Sequence, residues 1–294
     1  MEKIASAIDH HCHTAGILLD FSKAFDTINH NILLSKLYHY GIRGKALEWF
    51  RSYLSDRQQF VYLNGCKSSL KPILCGVPQG SLLGPLLFLC YINDISHSSH
   101  VLSFILFADD SSILYTHKNP ITLLNTINNE LVCLNEWIFA NKLSLNIQKT
   151  HYMLFSNSLH NLPGQILLNQ IPITRVNSIK FLGLHIDDHL TWNTHLTHLN
   201  KLISRNAGVI YRLKSIFPRR ILLMLYSTII LPHLNYGILA WGSSAKIQIN
   251  KILLIQKRII RNICDCNFRA HTDPLFFESK ILKIDDIFNI NLDP

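Results

Sequence analysis

Acidic residues are missing from a long part of this chain. Between His189 and Cys264 there is no Asp or Glu in 76 residues, yet eleven Lys and Arg lie there. The rest of the chain holds 17 bases against 19 acids, so this one segment carries the whole positive excess behind the net charge of +9. A segment so basic is either a solvated face or the footprint of a polyanion, and the asymmetry favours nucleic acid. No CxxC occurs, and seven cysteines is an odd number, which argues against a disulfide framework and for reduced thiols in a nuclear or cytoplasmic protein. No 18 apolar residues run without interruption. The best run, Ile221–Leu231, holds Ser227 and Thr228 and stops at Pro232, so no membrane span is expected. The first residues lack the basic and apolar regions of a secretory leader. Internal repeats and low-complexity tracts are also absent. With 48% hydrophobic and 16% charged residues over 294 positions, a disordered chain is excluded and a large buried core is expected.

The pattern up to about residue 185 interleaves strands and helices. Gly16–Leu19 is a short apolar strand ending at Asp20. Asn31–Tyr40 is a helix stopped by Gly41. Ala46, Trp49, Phe50, Tyr53 and Leu54 recur at i, i+3, i+4, i+7 and i+8, which predicts an amphipathic helix. Gln59–Leu63 followed by Asn64-Gly65 predicts a strand entering a hairpin turn. Ser81–Asn93 is an apolar helix after a Gly/Pro turn. Phe104–Ala108, Asp109-Asp110 and Ser111–Thr116 predict strand, tight turn, strand. Leu123, Leu124, Ile127, Leu131, Leu134 and Ile138 mark a long helix, and short strands are expected at His151–Phe155, Ile166–Leu168 and Phe181–Leu184. After Trp192 only basic helices follow, with Ile203, Ala207, Ile210 and Leu213 on one face. The fold class is α+β, a unit of interleaved strands and helices followed by an α-helical unit.

Three Asp-Asp pairs occur. For Asp187-Asp188 and Asp285-Asp286 the ordinary reading is loop or helix-cap residues. Asp109-Asp110 lies between two apolar strands and would sit at a hairpin tip. Adjacent acids held there repel each other unless a cation lies between them, and all-oxygen ligation suits Mg²⁺. Asp20, also ending an apolar strand, is the natural third ligand if its strand lies beside the hairpin. Gly76-Val77-Pro78-Gln79-Gly80-Ser81 opens the apolar helix between these acids and could approach a phosphate, or serve only as a loop. Cys264, Cys266 and His271 lack a full zinc ligand set. His10, His11 and His13 suggest an exposed segment.

The segments Leu18-Leu19-Asp20-Phe21-Ser22-Lys23-Ala24-Phe25-Asp26, Gly76–Pro85 and Phe107-Ala108-Asp109-Asp110 resemble the A, B and C motifs of reverse transcriptases of non-LTR, LINE-type, jockey-like retrotransposons. Supporting matches run through Gly41–Gly44, Tyr91–Asp94, Asn141–Asn146 with Lys149-Thr150, and Phe181–Leu184. The resemblance implies an RNA-directed DNA polymerase: a right-hand palm, an antiparallel sheet with helices, over 1–185 with partial fingers, and a basic α-helical thumb-like region over 186–294. It implies Asp20, Asp109 and Asp110 as catalytic ligands of two Mg²⁺ ions. Phe25 matches the steric gate that excludes a ribose 2′-OH, and Asp26 belongs to the same motif or caps the following helix. Gln79 and Gly80 match the loop at the incoming dNTP, and Lys149 a lysine that protonates pyrophosphate. Phe181 and Gly183 match the primer grip, while Lys201, Arg205 and Arg212 would contact the RNA template and DNA primer. The fingers strands that normally precede the first motif are not found before Asp20. The expectation is therefore an N-terminally truncated reverse transcriptase, and the alternative is a catalytically inactive nucleic-acid-binding remnant.

Overall fold

The computed structural model describes residues 2–156 and 164–292. Two compact units form, Glu2–Val176 and Asn177–Pro294. The sequence places its change of character near residue 185. The intervening stretch is a hairpin that groups with the later helices.

The first unit begins with α1 (Glu2–Asp9) and β1 (His13–Leu19). β1 starts three residues before the expected strand, and His13 is buried within it, its Nδ1 2.7 Å from the Ser156 hydroxyl. The exposed-segment expectation therefore holds for His10 and His11 but fails for His13. α2 (His30–His39) starts at Asn29, whose side chain accepts the Ile32 N–H. α3 (Lys45–Leu54) follows. Next comes a long hairpin of short pairs, β2 (Gln58–Gln59) with β5 (Lys71–Pro72) and β3 (Tyr62–Leu63) with β4 (Cys66–Lys67). Its tip is Asn64-Gly65, both at positive φ as a primed turn requires.

α4 (Leu83–Ile92) carries no charge and buries Leu87, Phe88, Tyr91 and Ile92. A 3₁₀ turn, Asn93–Ser98, leads to β6 (Ser103–Phe107) and β7 (Asp110–His117). α5 (Pro120–Ala140) is capped by Asn119, which accepts the Ile121 and Thr122 N–H groups, with Pro120 at its first position. β8 (His151–Phe155), β9 (Leu167–Leu168), β10 (Ile171–Pro172) and β11 (Thr174–Arg175) complete the unit.

The main sheet has the order β11-β8-β1-β7-β6. All its pairs are antiparallel except β11 with β8. β1 is central, and Ala15, Ile17 and Leu19 enter a core shared with Phe88 and Tyr91 of α4 and with α5. The six apolar residues expected on α5 are the six it buries.

The second unit opens with β12 (Ser178–Phe181) and β13 (Leu184–Asp187), joined by Leu182-Gly183 at φ 45° and 81°. The apolar run expected as one strand at 181–184 is thus the tip of a hairpin. The Asp187 carboxylate accepts the Thr191 and Trp192 N–H groups, so that acidic pair organises the entry to α6 (Asn193–Leu213). α7 (Arg219–Ile229), α8 (Leu231–Asn235), α9 (Ile238–Trp241), α10 (Lys246–Ile263), α11 (Asp273–Ser279) and α12 (Ile284–Leu292) follow. α6 packs on α10, whose stripe Ile249, Ile252, Ile259, Ile260 and Ile263 is buried. Gln256 on the same stripe is fully buried and satisfied: it donates to the Tyr226 hydroxyl and Leu282 carbonyl and accepts the Ile284 N–H. Among the described residues, no helix is long and apolar enough to cross a membrane.

Candidate active site

Register brings the three acids together. β1 runs antiparallel to β7 with Leu19 opposite Ser111, so the next position places Asp20 across from Asp110. β7 pairs with β6 through Phe107 and Asp110, leaving Ala108-Asp109 as a two-residue turn. The turn lies one residue earlier than the Asp-Asp sequence suggests, and Asp110 already belongs to the strand. Ala108 has φ 51°, a left-handed position where glycine is usual. Asp20, Asp109 and Asp110 therefore share one end of the sheet.

The electrostatics agree with the register. Asp110 is exposed, yet its carboxyl is pushed above the usual range, first by the protein that partly desolvates it, then by the charges of Asp109 and Asp20. Three oxygen-donor groups that repel each other fit a divalent cation in kind. They do not form a closed cage: among the described residues no three His, Cys, Asp or Glu side chains stand ready to enclose a metal ion.

Asp20 is held by its backbone. Its N–H donates to the Thr150 hydroxyl at 3.3 Å, its carbonyl accepts the Asn146 N–H at 2.8 Å, and Ser22 N–H donates to the Ser144 carbonyl. Thr150 is fully buried, and its own N–H and hydroxyl both return to the Asn146 carbonyl. Lys149 lies on this loop with an exposed side chain.

A second group forms around Phe25. Its ring is half-buried and packs on Phe88 with centroids 4.8 Å apart, while its carbonyl accepts the Val77 N–H. Gly76 N–H bonds the Ile28 carbonyl, and the His30 Nε2 lies 2.7 Å from the Gly76 carbonyl. Gly76 has φ 87°, and a Cβ there would lie 2.7 Å from the Asp26 carbonyl oxygen, so only glycine fits. The Asp26 carboxylate accepts from Gln79 Nε2 at 2.8 Å. Asp26 is not the helix cap, a role taken by Asn29. Gln79 and Gly80 are exposed on the loop that this bond steadies. Sequence reasoning did not foresee the contacts of Asp26 and His30 with the loop. The signals were present as polar residues following Phe25, but their partners lie about fifty positions away.

The reverse transcriptase (RNA-dependent DNA polymerase) family matches residues 2–186. The chain belongs to the reverse transcriptase family. The RNA-directed DNA polymerase from mobile element jockey of Drosophila melanogaster is 28% identical over 95% of this chain and 31% of its own length. The probable RNA-directed DNA polymerase from transposon X-element of the same fly is 26% identical over 98% of this chain and 32% of its own. The chain thus spans about a third of these relatives. Among solved structures, a Candida tropicalis telomerase in complex with a fragment of telomeric RNA aligns with TM-score 0.49 at 11% identity, over 95% of this chain and 51% of that one.

The remaining expected residues lie in the second unit, Phe181 and Gly183 inside the matched residues 2–186 and the three α6 bases beyond them. Phe181 ends β12, half-buried, and Gly183 is exposed at the hairpin tip. The Leu182 carbonyl accepts from the Tyr236 hydroxyl, and a Cβ on Gly183 would meet the Tyr236 ring at 3.2 Å. Lys201, Arg205 and Arg212 are exposed on α6, opposite its buried residues Leu199, Ile203, Ala207 and Ile210.

Proposed function

We propose that this chain is a polymerising core that extends a DNA primer on an RNA template, with residues 1–185 acting as palm and 186–294 as thumb. The observation that carries the reading is the convergence of Asp20, Asp109 and Asp110 at one end of a central antiparallel sheet. These acids would hold two Mg²⁺ ions, which activate a primer 3′-hydroxyl and neutralise the charge of the leaving pyrophosphate. Asp20 and Asp109 would carry most of the ligation. The Phe25 ring, packed on Phe88 beside the Gly76–Gly80 loop, would exclude a ribose 2′-OH and so favour a dNTP. Gln79 and Gly80 contact the incoming nucleotide, with Asp26 orienting the Gln79 carboxamide. Lys149 supplies a proton to pyrophosphate. Phe181 and Gly183 support the primer strand, and Lys201, Arg205 and Arg212 neutralise phosphates of the template–primer duplex.

Primer extension on an RNA template with Mg²⁺ tests this. The parent chain should incorporate dNTPs, and Asp109→Ala should reduce incorporation to background. Its thermal midpoint should stay the same or rise, since one of three repelling carboxylates is gone. Extension at a rate near the parent's would refute the metal assignment.

A further inference from the structure

α3 is amphipathic, yet its largest residue points the wrong way for a core. Leu54 is buried and Phe50 and Tyr53, both half-buried, pack on the core, while Trp49 is 53% exposed. Trp49 is ordered by its neighbours. Its ring stacks on Tyr53, 5.4 Å between centroids at 11°, and Phe50 stands edge-on to it at 5.1 Å. The Arg57 guanidinium lies 5.9 Å from the Tyr53 ring. The hairpin that follows repeats the pairing, with Lys67 Nζ 4.0 Å over the Phe60 ring. Phe60 and Tyr62 are 47% and 68% exposed, and every residue from Gln58 to Pro72 is exposed.

From Arg57 to Asn93 there is no acidic residue. Two acids stand close by: Glu48, whose carboxylate holds Arg51 at 3.4 Å, and Asp56, in the turn before Arg57. Arg57, Lys67 and Lys71 have no salt-bridge partner among the described residues. Exposed flat rings interleaved with unneutralised cations suit a ligand that alternates flat bases with phosphates. A protein partner chosen for the apolar hairpin alone would leave these cations unmatched.

We propose that Trp49, Tyr53, Arg57 and the Phe60–Lys67 pair form a stacking platform for single-stranded nucleic acid, built from residues outside the carboxylate site. Unpaired bases continue the Trp49–Tyr53 stack, and Arg57, Lys67 and Lys71 take the phosphates. Duplex cannot use it, because paired bases hide their faces. The platform does not depend on catalysis.

Binding of end-labelled ten-nucleotide oligo(U) and oligo(dT), of an abasic strand of equal length and of an RNA–DNA hybrid tests the proposal across a salt series. Trp49→Ala with Tyr53→Ala should weaken both base-bearing strands about tenfold or more. The same change should leave the abasic strand and the hybrid within twofold. Lys67→Ala with Lys71→Ala should flatten the single-strand salt slope by about 1.4. Trp49→Phe keeps a ring and should bind within about threefold of the parent, which separates lost stacking from lost folding. Unchanged oligonucleotide affinity in the double ring variant overturns the proposal. So does an equal loss for the abasic strand, or a change confined to self-association in sedimentation. Asp109→Ala should leave this binding intact, so failure here is distinct from failure of the catalytic reading.

Discussion

Ala108 concentrates the local strain of the site. A left-handed alanine in a two-residue turn costs on the order of 1 kcal/mol, and it persists because two paired strands fix both ends of the turn. The reward is positional: Asp109 projects from the tip while Asp110 stays in register with Asp20. Phe25 serves two demands in the same way. Its packing on Phe88 is structural, and its neighbours in the Gly76–Gly80 loop are the residues assigned to the nucleotide. Phe25→Val should therefore show both. Loss of half-buried ring contacts should cost about 1–2 kcal/mol of stability in denaturant titration. In single-nucleotide incorporation the ratio of rNTP to dNTP use should rise, because space opens beside C2′. A destabilised variant with the parent's ratio would assign Phe25 to the core alone.

Elements differed in how far their sequence disclosed them, for identifiable reasons. α5 is covered along its whole length by its own unit, so its periodic stripe and its buried face coincide. α3 packs mainly on α2, and the stripe that included Trp49 describes helix geometry without saying which side is covered. The hairpin at 181–184 was marked by Gly183 but masked by apolar neighbours, and Leu182 adopts positive φ against its preference. The convergence of the acids was legible as a condition, that the strand ending at Asp20 lie beside the hairpin, and the motif resemblance supplied that adjacency. It depends on β1 lying between β7 and β8, pairings more than ninety residues apart that no local pattern encodes. α6 offers the cleanest test at this scale. Lys201, Arg205 and Arg212 lie at i, i+4 and i+11 on its exposed face. If about five cations of this unit meet phosphates, log K for an RNA–DNA hybrid falls with log salt at a slope of roughly −4 to −5. Replacing the three by Ala should flatten that slope by about two to three, at little cost in stability. Equal slopes would move the contact to Lys246–Arg261 on α10.

Across the whole molecule, charge and imidazole burial are partitioned unevenly. Residues 1–176 carry 13 bases against 11 acids, and residues 177–294 carry 15 against 8. The second unit thus holds most of the excess charge, +7 of +9, and it also contains a histidine that cannot easily gain more. His195 is buried beside Trp192 and Trp241, with ring centroids 6.2 and 5.8 Å away. Its Nδ1 accepts the His185 N–H at 3.4 Å, and its Nε2 is buried without a hydrogen-bond partner. Burial first, then the nearby His185 and His198, lower it to about 4. The unfolded chain protonates this imidazole near 6.5, whereas the fold keeps it neutral until about 4. Its contribution is therefore complete above 6.5 and is lost as pH falls from 6.5 toward 4. Between pH 7 and 5 this amounts to about 2 kcal/mol. His185, also lowered by burial, adds to the loss in the same direction. Denaturant unfolding followed by tryptophan emission, to which Trp192 and Trp241 beside His195 contribute, should thus show the parent weakening over that interval. His195→Leu removes the titration and should weaken by about 2 kcal/mol less, whatever its stability at pH 7. An unchanged difference between pH 7 and 5 in the variant would mean that another group drives the acid response.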